Sequence, residues 1–164
     1  MHASSPSDTF AVEKEKEENM SIFPTTILLA SDDAKDAELA SRTAVDIANS
    51  TNSELHVIVV GPVVPEHFEP TDVEPVQMTR TAQKLLDSSV EQIEAEGGNV
   101  VRAHLKMGGA AEEIVNVGEE IGAGLIVVGS RGRGGLRRAL MGSVSNSVAL
   151  HAHCPVLIIR EEKQ

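Results

Sequence analysis

The chain has 164 residues, enough for one domain with a substantial core, and sets 25 Asp and Glu against 14 Lys and Arg for a formal net charge of −11. That acidity argues against nucleic acid as a partner, and the single cysteine, Cys154, excludes an internal disulfide or a multi-cysteine zinc site. No Trp, no Tyr and three Phe force an aliphatic core, and a lone thiol with no apolar run of about 18–20 residues fits a cytoplasmic protein with no membrane partner.

Residues 1–20 read as a disordered acidic tail, and the charges of residues 11–20 (AVEKEKEENM) stand where a signal peptide would be apolar. The folded domain is expected over 21–164. Residues 25–31 (TTILLAS) make an apolar run long enough for a strand and too short for a helix. Residues 34–50 follow with Ala37, Ala40, Ala44 and Ile47 at helical spacing, then a β-branched strand over 55–60 closed by Gly61 and Pro62. After a proline-rich loop at 61–73, a helix is predicted over 74–96, with Met78, Ala82, Leu85, Leu86 and Ile93 as its buried stripe and Gly97-Gly98 as its stop. A strand of mixed polarity is expected at 99–105, and a helix at 110–121 with Ile114, Val115, Gly118 and Ile121 on one face. Residues 125–128 form the fourth strand, 143–151 a helix and 155–159 the last strand. Apolar strands alternating with helices imply an α/β three-layer sandwich around a parallel sheet, with ligands bound outside the carboxyl ends of the strands where strand order reverses.

The segment 125–143 (LIVVGSRGRGGLRRALMGS) concentrates the chemistry. A strand ending in Gly129 lets a ligand approach the main chain. A helix opening at Gly142-Ser143 offers unpaired N–H groups and the positive end of its dipole, a geometry suited to phosphate. Residues 121–160 contain no Asp or Glu and five arginines, at 131, 133, 137, 138 and 160, so a positive patch sits on a negative chain. A dinucleotide fingerprint is missing after the first strand, and a Walker A loop is missing because Gly135 stands where lysine is required.

The spacing Gly129-x2-Gly132-x9-Gly142-Ser143 resembles the ATP-binding signature of the universal stress protein family, G-x2-G-x9-G-[ST]. The likeness extends over roughly residues 25–160, from ILLASD at the first strand to GSVSNSVALHAHCPVLIIR at the close. The resemblance implies a Rossmann-like five-stranded sheet of order 3-2-1-4-5, of the adenine nucleotide alpha hydrolase-like type, in a protein that is usually dimeric and binds ATP. By matching position, Ala30, Ser31 and Asp32 would line the base pocket and Val60 would sandwich adenine. Gly129, Arg131 and Gly132 would wrap the ribose and phosphates. Gly142, Ser143, Val144 and Ser145 would hold phosphates through N–H groups and hydroxyls. The position of Arg131 varies in the family, and its phosphate role rests on charge alone.

Other readings of the same residues stand beside these. Asp32, or Asp33 in competition with it, can be the N-cap of the first helix, and Ser143 the N-cap of the fourth. Asp32 or Asp33 can also help hold Mg²⁺ beside ATP phosphates. His151, His153 and Cys154 form an H-x-H-C cluster better read as a structural link than as a metal site. His56 is expected to pack within its strand and His104 to lie on the surface. No acid in 121–160 stands ready to orient a hydrolytic water, so at most slow ATP hydrolysis is expected. Residues 155–160, from Pro155 to Arg160, form an apolar edge that a second copy would cover in a homodimer. The combined expectation is a dimeric, ATP-binding stress-response sensor or regulatory module. The alternatives are a slow ATP hydrolase and a dimeric scaffold that binds no nucleotide.

Overall fold

A computed structural model describes residues 21–34, 36–69, 73–130 and 142–161. The expected acidic tail at 1–20, together with Arg131, Gly132 and the remaining arginines of the 131–141 loop, lies outside the described residues.

The elements run β1 (Thr26–Ala30), α1 (Ala37–Thr51), β2 (Glu54–Gly61), α2 (Val73–Ala95), β3 (Val100–Met107), α3 (Ala110–Glu120), β4 (Ala123–Gly129), α4 (Ser143–His151) and β5 (Val156–Ile159). All five strands pair in parallel in the order β3-β2-β1-β4-β5. The chain therefore winds outward from β1 to β3, crosses back to β4 and continues to β5, which makes β1 and β4 the point where strand order reverses.

The sheet is buried on both faces, as continuous apolar strands require. One face packs Ile27, Leu29, Val57, Val59, Leu125 and Val127 against Ala40, Ala44 and Val45 of α1 and Ala82, Leu86 and Ile93 of α2. The other packs Leu28, Ile58, Ile126 and Val128 against Ile114 and Val117 of α3 and Val148 of α4. The alternation along β1 and β2 divides one strand between two cores. Each fully buried Leu, Ile or Val contributes about 1.5–3 kcal/mol. Edge strand β3 is the most exposed, in keeping with its mixed sequence.

Most boundaries fall within one or two residues of the sequence expectation, and the largest difference has a local cause. The first helix starts at Ala37 instead of residue 34, because Asp32 Oδ1 accepts the Ala34 N–H at 2.9 Å and closes a turn first. Asp36 holds the cap position without a side-chain cap bond, so neither Asp32 nor Asp33 is an N-cap. Strand β5 covers 156–159, with Pro155 and Arg160 flanking it. The stop of α2 is as expected: Gly97 has φ 89°, and the Gly98 N–H donates to the Ile93 carbonyl at 2.9 Å.

Candidate functional site

Above the carboxyl ends of β1 and β4 lies a two-part crevice. Its main chamber, of about 510 Å³, is in the range of small-molecule sites. Val59, Val60, Gly61 and Pro62 at the end of β2 form one wall, and Gln77, Met78, Thr81, Ala82 and Leu85 of α2 the other. A narrower cleft of about 80 Å³ continues from it, floored by Ala30, Ile58, Val128 and Gly129 and flanked by Ile114, Val144 and Ser145. Ser31, Asp32, Val60, Ala110 and Val144 border both spaces.

The topology assembles these groups. Because α2 runs back antiparallel to the strands, its first half overhangs their carboxyl ends, and its apolar stripe lines the crevice there before it reaches the core. The sequence reading took Met78, Ala82 and Leu85 as core alone; their helical spacing was visible, but where the sheet stops beneath them was not. Ala110 and Ile114 at the start of α3 were not foreseen as lining residues either.

Of the expected site residues, Ala30, Ser31, Asp32, Val60, Gly129, Val144 and Ser145 border the crevice. Gly142 and Ser143 open α4 beside it, while Arg131 and Gly132 lie outside the described residues. Gly142 is the N-cap and Ser143 the first helical residue, so Ser143 is not the cap. With φ −58° and ψ 151°, Gly142 has a backbone any residue adopts, so φ does not explain the glycine. The Asn146 N–H is the first to close on the helix, donating to the Gly142 carbonyl at 3.0 Å. The N–H groups of Ser143, Val144 and Ser145 therefore have no partner within the helix, and they carry the positive end of its dipole.

The hydroxyls are more committed than the sequence suggests. The Ser145 O–H, 2% exposed, lies 3.0 Å from the Gly142 carbonyl and 3.3 Å from the Ser130 carbonyl, sharing one proton between them. What Ser145 offers the cleft is its N–H. Ser89 donates to the Leu85 carbonyl at 2.9 Å, so the proton between Ser31 and Ser89, 2.8 Å apart, comes from Ser31. Among the described lining residues the ionisable side chains are Asp32 and Glu74.

The Gly142 N–H donates to the Ser130 carbonyl at 2.7 Å, which brings together beside the cleft the two described residues that flank 131–141. Farther along the sheet, His56 and His104 stack with ring centroids 5.3 Å apart and share a 3.1 Å Nδ1···Nε2 hydrogen bond. His56 packs as expected, but His104 is a half-buried partner and not a surface residue. Burial lowers both imidazoles below the usual value, and Arg102 lowers them further. His153 pairs with Glu119, and no group of three or more metal-ligating side chains occurs among the described residues.

An open parallel sheet wound in both directions, with a cleft at its reversal point and the N-terminus of a helix beside it, defines a doubly wound α/β domain whose crevice lies at the edge where such folds carry their ligands. The universal stress protein family model matches residues 24–160, and the chain belongs to that family. Universal stress protein YxiE of Bacillus subtilis is 35% identical over 147 residues, spanning 82% of this chain and 97% of the relative. The solved universal stress protein of Archaeoglobus fulgidus superposes with TM-score 0.67 at 27% identity, covering 83% of this chain and 98% of that one. A universal stress protein from the same organism, solved in complex with dAMP, superposes with TM-score 0.64 at 25% identity, covering 85% of this chain and all of that one.

Proposed function

We propose that the chain binds ATP in the crevice over β1 and β4 and acts as a dimeric regulatory module in the cytoplasmic stress response. The observation that carries this reading is that residues 30–32, Val60, Gly129 and the start of α4, far apart in sequence, border one continuous space.

The donor set fits the nucleotide. The main chamber has apolar walls for a purine, and the cleft ends at the N–H groups of Val144 and Ser145, which have no partner within the helix and suit phosphate. The sequence between Ser130 and Gly142, which are hydrogen-bonded to each other beside the cleft, carries four arginines, at 131, 133, 137 and 138, and their charge suits a triphosphate. Asp32 stands at the junction of the two spaces, where it would help hold a hydrated Mg²⁺. Bound ATP supplies charge and a purine to be sensed; the residues of the chain bind and orient it. The relative from A. fulgidus solved with dAMP supports an adenine ligand. The edge position of β5, whose Val156, Leu157 and Ile158 are only half-buried, supports pairing with a second copy.

Titration calorimetry with Mg²⁺-ATP tests the binding, using Ala30→Leu as the comparison because Ala30 lies on the cleft face of β1 and a larger side chain there would project into the narrow cleft. The expected result is saturable binding to the wild type, weakened tenfold or more in the variant. A wild-type chain that gives no saturable binding overturns the proposal. Sedimentation velocity tests the dimer, and a monomer at all concentrations would remove that part of it.

A further inference from the structure

Asp36 is a buried carboxylate that no part of the proposed nucleotide contact uses. It is 2% exposed and stands at the entrance to α1, yet it makes no cap bond to the helix it precedes. Both of its oxygens are spent on distant parts of the chain. The Ser130 hydroxyl donates to Oδ2 at 2.9 Å, and the Glu161 N–H donates to Oδ1 at 3.3 Å. Ser130, itself 2% exposed, is a junction. Its N–H donates to the Ile159 carbonyl at 2.7 Å, and its carbonyl accepts the Gly142 N–H at 2.7 Å and the Ser145 hydroxyl. One side chain thus holds Ser130 and Glu161 directly, and through the Ser130 carbonyl it positions Gly142 at the start of α4.

A buried carboxylate is retained only where its hydrogen bonds satisfy it, since taking the charge out of water costs several kcal/mol. We infer that Asp36 is a positioning residue for the phosphate end of the crevice: through Ser130 it holds Gly142 and the first turn of α4 in register with the end of β5. The inference rests on the proposed nucleotide reading and adds to it a residue that need not touch the ligand. Its chemistry predicts selectivity: a misplaced α4 terminus weakens phosphate contacts and leaves the purine chamber unchanged.

The test compares ATP with adenosine by titration calorimetry on the wild type, Asp36→Ala and Asp36→Asn. Asp36→Ala is expected to lower ATP affinity tenfold or more and adenosine affinity less than twofold. Asp36→Asn is expected to stay within about threefold of wild type for both, because its carbonyl still accepts the Glu161 N–H and its amide can donate to Ser130 Oγ. If Asp36→Ala does not fold, Ser130→Ala carries the comparison, since it removes the same side-chain bond and leaves the main-chain bonds of residue 130. A wild type that binds ATP, with both ligands weakened equally or neither weakened in the alanine variant, overturns the role of Asp36 alone. A wild type that binds neither ligand overturns the nucleotide reading itself.

Discussion

Replacing Ser143 by Asp should move stability and ligand affinity in opposite directions. Ser143 is the first residue of α4 and its side chain is exposed, so the change disturbs no packing. A carboxylate in the first turn of a helix is stabilising by about 0.3–1 kcal/mol, which for a domain of this size raises Tm by about 1–4 °C. The same charge faces any phosphate held by the N–H groups of Val144 and Ser145. Two unit charges about 6 Å apart repel by about 0.7 kcal/mol in bulk water and about 3 kcal/mol at an effective dielectric of about 20. That range is roughly threefold to hundredfold in affinity, and the half-open cleft points to a loss on the order of tenfold. The assay pairs thermal unfolding of nucleotide-free protein with calorimetric titration of ATP and adenosine. The expected outcome is a higher Tm, weaker ATP, unchanged adenosine and a deficit that shrinks as salt is added. An ATP affinity equal to wild type in a variant whose Tm has risen would refute the placement of phosphate at α4.

Further outcomes follow from the core and the titratable pair. Leu28→Ala, at a fully buried position of the central strand, should cost about 2–5 kcal/mol in urea unfolding. Gly98→Ala should lose about 1–3 kcal/mol, because its Cβ would meet Ile93 Cγ2 at 2.7 Å, Val45 Cγ2 at 2.8 Å and a backbone carbonyl at 3.0 Å; a variant as stable as wild type would show that this turn can shift freely. Burial lowers His56 and His104, so near their ordinary pKa the unfolded chain binds more protons than the folded one. Stability is then fully present above about pH 6.5 and falls as pH drops through the lowered values, and a His56→Phe, His104→Phe double variant should flatten that dependence. Burial likewise raises the Cys154 thiol, so it should react slowly with an aromatic disulfide at pH 8 until the protein is unfolded.

The strands were legible because each is a short apolar run bounded by glycine, proline or polar residues, and a parallel sheet buried on both faces leaves no other use for such runs. The order of the strands came from the resemblance, and their pairing agrees with it. Local hydrogen bonds escaped the reading first: the turn closed by Asp32 delays α1 by three residues, a choice between two short-range bonds that periodicity does not register. Contacts across the chain escaped it entirely. Asp36 meets Ser130 94 residues later and Glu161 125 residues later, and nothing in the neighbourhood of Asp36 marks it as different from Asp33. The pairing of His56 with His104 likewise depends on the β2–β3 register, which opposes Ile58 to His104 after a shift near Leu55. At the crevice, the glycine spacing pointed to Gly129 on the floor and to the start of α4 beside it, while the α2 wall depended on where the sheet stops.

The most direct test of the central claim is the nucleotide content of the full-length protein as purified, measured by denaturing it and chromatographing the supernatant. The account predicts adenine nucleotide released in near-equimolar amount from the wild type and little from Ala30→Leu. A wild-type protein that releases none, and that takes up none when incubated with Mg²⁺-ATP and freed of excess, would contradict it.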